Sequence, residues 1–309
     1  MPELPEVETI RRQLAPLVEG YRLERIEVLD DRWSRPLAAH ELEDALAGRT
    51  VQSLTRRGKY LLWSFTEDVY LAQHLRMTGA VLCEPKPEPT HIRVRLELAR
   101  AKTGAAKKPR AAKTVPRKLV IVDPRRFGTG ELILGDHALE DFFSARLGLE
   151  PLQQEFTVEH LREIARGRNT PIKAFLLDQR RIAGVGNIYA DEALFRASIH
   201  PLRPTGSITL KQHIRLREGM IDALQAGIQA KGATIDDFRH VDGVRGSFQN
   251  QFLVHRREGE PCPGCGRTIV KMVVAGRGTY VCERCQPRPR ARAGRARTAA
   301  AGPVMVRGS

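Results

Sequence analysis

Four of the five cysteines form two close pairs near the end of the chain. Cys262 and Cys265 are separated by two residues, as are Cys282 and Cys285, and sixteen residues lie between the pairs. Four thiolates at this spacing are typical of a tetrahedral zinc site, which is closed and therefore structural rather than catalytic. Disulfides are the alternative, but a reducing cytosol disfavours them. The fifth, Cys83, is predicted to be a small buried hydrophobe.

The segment between the cysteine pairs is predicted to form a β-hairpin. Residues 269–274 and 279–281 have strand character, and Arg277 lies between Gly276 and Gly278 at the turn. An arginine there is either a solvated charge or a group that reaches a phosphate or a reacting atom. The hairpin alone favours the solvated charge.

The N-terminus, MPELPEVETIRR, has the pattern of an amphipathic helix. Pro5 suits the first helical turn, and Val7, Ile10, Leu14 and Leu17 fall on one face. A helix does not account for Pro2 beside Glu3, which would place a prolyl amine next to a carboxylate if Met1 were removed. Those two groups could act as a nucleophile and a proton carrier.

The chain is strongly basic, but the charge is concentrated. The formal net charge is +15; residues 100–118 carry eight Lys or Arg and residues 286–309 carry six Arg, both without an acid. Removing these fourteen charges leaves +1. The composition predicts two flexible arms that favour a polyanion such as nucleic acid. The balanced remainder does not specify a function.

The remaining pattern predicts an α+β fold. Short strands over residues 21–134 indicate a β-sandwich or barrel, with 100–118 as a long hairpin loop. Four later segments have helical spacing, with Thr157 and Thr209 as N-caps. The predicted units are an N-terminal β-sandwich with a leading helix (1–136), a helical domain (137–250), the cysteine module (251–286) and a disordered tail (287–309). No apolar run could span a bilayer and the start is acidic, so we expect a cytoplasmic protein.

Six motifs together resemble one family. They occur in a fixed order: PELPEVE at 2–8, RRGKYL at 56–61, HLRMTG at 74–79, DPRRFG at 123–128, GVGNIYADE at 184–192, and the cysteine module. From Pro2 to about Gln286 the chain resembles bacterial formamidopyrimidine-DNA glycosylases, which excise 8-oxoguanine and ring-opened purines. The basic insertion and the arginine-rich tail depart from that pattern.

The resemblance implies a catalytic set. Pro2 matches the nucleophile that attacks C1′ of the sugar, forms a Schiff base and couples base excision to strand cleavage by β,δ-elimination. Glu3 matches the general acid/base, Lys59 the catalytic lysine and Arg277 the arginine of phosphate binding and δ-elimination. One structural Zn²⁺ is the implied cofactor.

The resemblance also implies how DNA is held. Met77, Arg125 and Phe127 match residues that fill the gap left by a flipped base, and Arg125 would bond the orphaned cytosine. Asn187 opens a helix of the helix–two-turn–helix element, where N–H groups could meet a phosphate, although N-capping also explains it. The other matched DNA contacts are His91, Asn169 (for which Arg168 is an alternative) and Lys173. Loop 240–250 matches the lesion-recognition segment.

The implied partner is double-stranded DNA containing an oxidised purine or an abasic site, bound by a monomer. Two alternatives stay open. An endonuclease VIII-type enzyme for oxidised pyrimidines shares the amine chemistry and the zinc module. A zinc-containing DNA-binding protein without catalysis would share only the module and the charge.

Overall fold

The computed structural model describes residues 1–100, 117–234, 241 and 246–289. Two helices and eight strands form its first part. The helices are α1 (Leu4–Val18) and α2 (Ala39–Leu46). The strands are β1 (Tyr21–Val28), β2 (Val51–Arg57), β3 (Tyr60–Phe65), β4 (Val69–His74), β5 (Ala80–Cys83), β6 (Ile92–Arg100), β7 (Arg117–Val122) and β8 (Thr129–Leu134).

These strands make two four-stranded antiparallel sheets. Their orders are β1-β6-β7-β5 and β2-β3-β4-β8. Strands β6 and β7 pair with Leu98 opposite Arg117, so the basic segment joins two neighbouring strands. Most of that segment, like the arginine-rich tail and much of loop 240–250, lies outside the described residues.

The second part is helical and ends in the cysteine module. Its helices are α3 (Asp136–Ser144), α4 (Val158–Ala165), α5 (Ile172–Leu177), α6 (Asn187–Arg196) and α7 (Leu210–Gln229). Thr157 and Thr209 cap α4 and α7 through bonds from His160 and Gln212 N–H, as predicted. The module holds the antiparallel hairpin β9 (Val270–Val274) and β10 (Arg277–Val281). The α+β prediction is confirmed, whereas the unit limits at 136, 250 and 286 stay predictions.

Helix α1 connects the two parts. Val7, Ile10 and Leu14 are fully buried in the core that α1 shares with the β-sheets, as the spacing predicts. Leu4 instead belongs to the core of the helical part. The start of the chain is therefore fixed where the two hydrophobic cores meet.

Among the described residues, none of the helices combines the length and apolar character that crossing a membrane requires.

Candidate active site

The carboxylate of Glu3 is held at the N-terminus of α6. It accepts hydrogen bonds from the N–H groups of Ile188 (3.0 Å) and Tyr189 (3.4 Å), and Glu3 is 2% exposed. The unpaired N–H groups and the dipole at a helix N-terminus stabilise an anion there. A phosphate was one predicted partner of these N–H groups, and two of them bind this carboxylate of the chain itself.

Two glycines allow the start of the chain to approach α6. A Cβ at Gly186 would lie 2.3 Å from Cδ of Glu3. Gly184 has φ +88°, a Cβ there would lie 2.6 Å from Cδ1 of Leu4, and its carbonyl accepts the Leu4 N–H. The GVG sequence is thus required by the packing of residues 3 and 4.

A second carboxylate, Glu6, lies directly behind Glu3. It accepts hydrogen bonds from the N–H of Glu3 (2.9 Å), the hydroxyl of Tyr189 (2.8 Å) and the N–H of Ala233 (2.7 Å). Burial, reinforced by the nearby charge of Glu3, raises the pKa of Glu6. Glu6 joins the start of the chain to α6 and to Ala233, which follows α7.

Lys59 is the second residue of the turn between β2 and β3. Gly58 has φ +58°, and its N–H donates to Glu150 (2.7 Å), which also pairs with Arg56 (2.8 Å). Lys59 is 4% exposed. Burial lowers its pKa, the carboxylate of Glu3 opposes that shift, and the charge of Arg277 adds to it. Glu3, Lys59 and Arg277 are therefore close enough for their charges to interact.

A cleft of about 310 Å³ opens beside Lys59 and is also lined by His74. Burial, together with the charges of Arg76 and Lys59, lowers the pKa of His74 to about 3, so its imidazole is neutral. Its Nδ1 accepts the Arg76 N–H at 2.9 Å. Cations such as Arg76 and Arg146 dominate the rim of this cleft.

Arg277 lies at the start of β10, one residue past the hairpin turn. The turn residues Ala275 and Gly276 have φ values of +50° and +70°, as a two-residue type I′ turn requires. The next carbonyl, of Gly278, accepts from Nζ of Lys173 (3.2 Å) and from Nδ2 of Asn187 (3.1 Å). The side chain of Arg277 is exposed.

Lys173 is buried, although the resemblance implies a DNA contact. Its side chain is 0% exposed and its Nζ pairs with Asp191 at 2.7 Å. Burial lowers the pKa of Lys173, while Asp191 opposes that shift. Since its ammonium is already bonded within the protein, a direct DNA contact stays a prediction.

Pro2 is buried, whereas Met1, the residue before it, is 38% exposed.

Three exposed side chains form a wedge, which we define as Met77, Arg125 and Phe127. Met77 is 42% exposed and Phe127 52%. The Arg125 guanidinium stacks on the Phe127 ring, 5.0 Å from its centroid. The exposure matches what base-stack insertion requires.

Asp123 organises the loop that carries two wedge residues. Its Oδ2 accepts the N–H groups of Phe127 (2.8 Å) and Gly128 (2.7 Å), and its Oδ1 bonds the hydroxyl of Thr78. Asp30 forms a second tie, a bidentate pair with Arg126. The loop is therefore fixed by buried carboxylates below the wedge.

The two remaining predicted DNA contacts are exposed. His91 has φ +64°, and its carbonyl accepts the Asp123 N–H (3.0 Å), which places it at the base of the wedge loop. Asn169 lines a separate cleft with Arg168 and Ser207. Because Nε of Arg168 donates to the Ile164 carbonyl (2.6 Å), Asn169 is the freer of the two neighbours.

The four cysteine thiols converge. Sγ of Cys262 lies 3.8 Å from Sγ of Cys285, Sγ of Cys265 lies 3.5 Å from Sγ of Cys282, and all four lie within 4.8 Å of one another. A tetrahedral zinc ion with Zn–S bonds of about 2.3 Å separates its sulfurs by about 3.8 Å. The donor set and its spacing therefore fit zinc.

Three family models match the chain. The formamidopyrimidine-DNA glycosylase N-terminal domain matches residues 1–130, the formamidopyrimidine-DNA glycosylase H2TH domain matches 147–239, and a zinc finger found in FPG and IleRS matches 259–288. The chain belongs to the formamidopyrimidine-DNA glycosylase family. It carries the structural zinc site of that family at Cys262, Cys265, Cys282 and Cys285.

Named relatives match over nearly their whole length. The formamidopyrimidine-DNA glycosylase of Roseiflexus sp. is 41% identical over 93% of this chain and 100% of its own. That of Thermus thermophilus is 42% identical over 93% of this chain and 98% of its own.

Solved glycosylase structures share the fold. A Lactococcus lactis FPG mutant in complex with Fapy-dG-containing DNA superposes with a TM-score of 0.82 at 35% identity, covering 93% of this chain and all of its own. The MutM (FPG) protein of Thermus thermophilus gives 0.79 at 40% identity, covering 92% and 98%.

The sequence reasoning missed three residues of this glycosylase site: Glu6, His74 and Asp123. Each had a signal. Glu6 stands three residues after Glu3, the spacing at which a side chain reaches back to an N-cap. His74 opens the HLRMTG motif, and Asp123 opens DPRRFG with an acid before a turn.

Proposed function

We propose that this chain is a bifunctional DNA glycosylase and AP lyase of base excision repair. Its substrate is double-stranded DNA with an oxidised purine, 8-oxoguanine or a formamidopyrimidine, and its product is a strand cleaved by β,δ-elimination. The observation that carries the proposal is the burial of Pro2, Glu3 and Lys59, with the carboxylate of Glu3 near enough for its charge to act on Lys59. We place the enzyme in the cytoplasm as a monomer.

Removal of Met1 would make Pro2 a terminal secondary amine, a group that titrates at about 7.7–8.0. Its lone pair bonds to C1′ as the bond from C1′ to the damaged base breaks. The base leaves with the electrons of its bond to C1′ and takes up a proton. The new ammonium at C1′ passes its N–H proton to Glu3, held at α6. The freed nitrogen lone pair then forms the C=N bond of the iminium as C1′–O4′ breaks, and Glu3 delivers the proton to O4′.

The positive iminium then directs two eliminations. Loss of a proton from C2′ breaks C3′–O3′, and loss of a proton from C4′ breaks C5′–O5′; each time a phosphate departs with the electron pair. Lys59, whose lowered pKa makes its ammonium a readier proton donor, and Arg277 supply positive charge there. Zinc holds the module that carries Arg277 and takes no part in these steps.

The wedge supports base extrusion. Phe127 and Met77 would fill the stack that the lesion leaves, and Arg125 would bond the unpaired cytosine. Both apolar side chains are left exposed by the described residues around them, which supports this role.

An oxidised pyrimidine is a second candidate substrate, because one similar solved complex joins wild-type Lactococcus lactis FPG with DNA containing an oxidised pyrimidine. We expect the full chain to incise an 8-oxoguanine·cytosine duplex faster than one with thymine glycol, leaving 3′- and 5′-phosphates. The opposite preference would assign the pyrimidine activity. No incision of either, with tight duplex binding, would indicate a DNA-binding protein without catalysis.

A further inference from the structure

A buried charged network crosses from the helical part to the zinc module. Nζ of Lys173 on α5 lies 2.7 Å from Oδ1 of Asp191 on α6, and Nδ1 of His255 lies 2.8 Å from Oδ2 of the same carboxylate. The side chains of Lys173 and Asp191 are 0% exposed and that of His255 is 6% exposed. One carboxylate therefore neutralises the buried ammonium and orients the imidazole at once.

The network ends on the backbone next to Arg277. Lys173 donates to Oγ1 of Thr279 (2.7 Å) and to the Gly278 carbonyl (3.2 Å). The hydroxyl of Thr279 donates in turn to the carbonyl of Arg277 (3.0 Å). The carbonyls of two successive residues are thus fixed from α5, and the side chain of Arg277 projects from this point.

Bonds other than those of Asp191 also attach the zinc module. The neighbouring Glu192 accepts the N–H groups of Leu253, Val254 and His255, each at 3.0 Å. Gln286, just past the last cysteine, donates to the Ile199 carbonyl (2.9 Å). Since these bonds already dock the module, the specific contribution of Asp191 is to hold Lys173 and His255 in place.

We propose that Asp191, with Lys173 and His255, is a positioning residue that sets where the Arg277 guanidinium meets the departing phosphate. This rests on the proposed function, in which Arg277 acts in the second elimination: a proton leaves C4′, C5′–O5′ breaks, and the phosphate departs with the electron pair. The first steps depend on Pro2, Glu3 and Lys59, and within the described part of the chain no hydrogen bond or ion pair joins these residues to the network; Glu3 acts on Lys173 only through its charge. Disturbing the network should therefore slow the second elimination and leave the earlier steps nearly unchanged.

The test compares Asp191→Asn with Glu258→Gln in the full zinc-loaded enzyme on an abasic duplex. Both variants lose one carboxylate that pairs with a lysine, but the Glu258–Lys271 pair (3.7 Å) is exposed. We expect Asp191→Asn to slow δ-elimination by about 10- to 100-fold, the range for a misplaced catalytic group. Borohydride trapping and β-elimination should change less than about threefold, and Glu258→Gln should match the wild type.

A double variant tests whether Asp191 acts through Arg277. Asp191→Asn combined with Arg277→Ala should be no slower in δ-elimination than Arg277→Ala alone, because both act through one group.

An unchanged δ-elimination rate in Asp191→Asn overturns the proposal, as does an equal loss in trapping, β- and δ-elimination, or a multiplied loss in the double variant. If Asp191→Asn does not fold, His255→Leu must show the selective loss and His255→Asn, which restores an N–H donor, must recover it; equal rates in these two variants also overturn it. A wild-type enzyme that forms no borohydride adduct would instead refute the proposed function.

Discussion

The carboxylate of Glu3 accepts a 3.0 Å hydrogen bond from the N–H of Ile188, a residue 185 positions further along the chain. That bond fixes the amino-terminal end of the molecule to the first turn of α6. It makes the geometry of the proposed catalytic carboxylate depend on packing between the β-rich and helical parts.

Gly186→Ala tests this dependence, since its new Cβ would lie 2.3 Å from Cδ of Glu3. Overpacking of this kind costs about 1–3 kcal/mol of folding free energy. We expect base excision to fall by about 100-fold, because a misplaced catalytic group costs that much. Urea unfolding and single-turnover excision measure the two effects.

Gly20→Ala is the matched control. Gly20 has φ +77°, and a methyl group at this position would have nothing within 4 Å, so the change introduces backbone strain without a clash. It should lower stability by about 1 kcal/mol and leave excision unchanged. Equal losses of activity in both variants would refute the placement of Glu3.

Glu3→Gln separates the chemical role of the carboxylate from its structural role. The amide oxygen can still accept from α6, so we expect a stability loss of about 1 kcal/mol, the scale of a helix-terminus charge interaction. Excision of 8-oxoguanine should fall by about 10²- to 10⁴-fold, as for a removed general acid/base. Excision within a few-fold of the wild type would show that Glu3 only anchors the chain.

His74 should make the protein acid-sensitive. Its pKa falls to about 3 in the folded protein, against about 6.5 in the unfolded chain. Between these two pH values the unfolded state therefore binds a proton that the folded state does not bind. The contribution of neutral His74 to the free energy of unfolding is fully present above pH 6.5 and is lost as the pH falls toward 3. The slope is about 1.4 kcal/mol per pH unit within that window.

His74→Asn keeps an acceptor for the Arg76 N–H but cannot titrate. Between pH 6.5 and 4.5 we expect the wild type to lose about 2–3 kcal/mol more of its free energy of unfolding than this variant loses. Chemical denaturation at several pH values measures the difference. His137→Asn, at an exposed imidazole, controls for histidine removal, and parallel curves for wild type and His74→Asn would contradict the burial argument.

Asp123→Asn should loosen the wedge loop. Replacing Oδ2 by an amide NH₂ would set a donor against the N–H groups of Phe127 and Gly128. Loss of buried acceptors costs about 1–3 kcal/mol of stability. We also expect binding to an abasic duplex to weaken about tenfold or more, measured by fluorescence anisotropy.

Phe127→Ala distinguishes the contribution of the wedge side chain to DNA binding from that of Asp123, which holds the loop. Phe127 is 52% exposed, so its removal should weaken duplex binding with a stability change within about 0.5 kcal/mol. Binding by Asp123→Asn equal to the wild type would show that the loop does not need its carboxylate.

The sequence predicted features that local chemistry decides. Cys262 and Cys265 lie on one tight turn, Thr157 and Thr209 cap their own helices, and Val7 and Ile10 follow the period of α1. The residues of the catalytic set could be predicted only from the six motifs in their order, because nothing local distinguishes Lys59 from another lysine at a strand end.

Features decided by distant packing could not be predicted. Glu3 bonds Ile188, Lys173 turns inward to Asp191, and Glu6 bonds Ala233, contacts that no spacing rule connects. For the N–H groups at the start of α6 the sequence offered a phosphate or an N-capping Asn187, and neither interpretation included the carboxylate of Glu3. Residues that bond across domains take their roles from the assembled fold.

In the proposed reaction the nitrogen of Pro2 forms the covalent bond to the sugar. Borohydride reduction of the enzyme on an abasic duplex, followed by mass spectrometry of the amino-terminal peptide, tests it directly. We predict one adduct, located on Pro2 in chains that begin at Pro2 and absent from chains that retain Met1. An adduct on Lys59 or another lysine, or equal trapping of chains that retain Met1, would rule out Pro2 as the nucleophile.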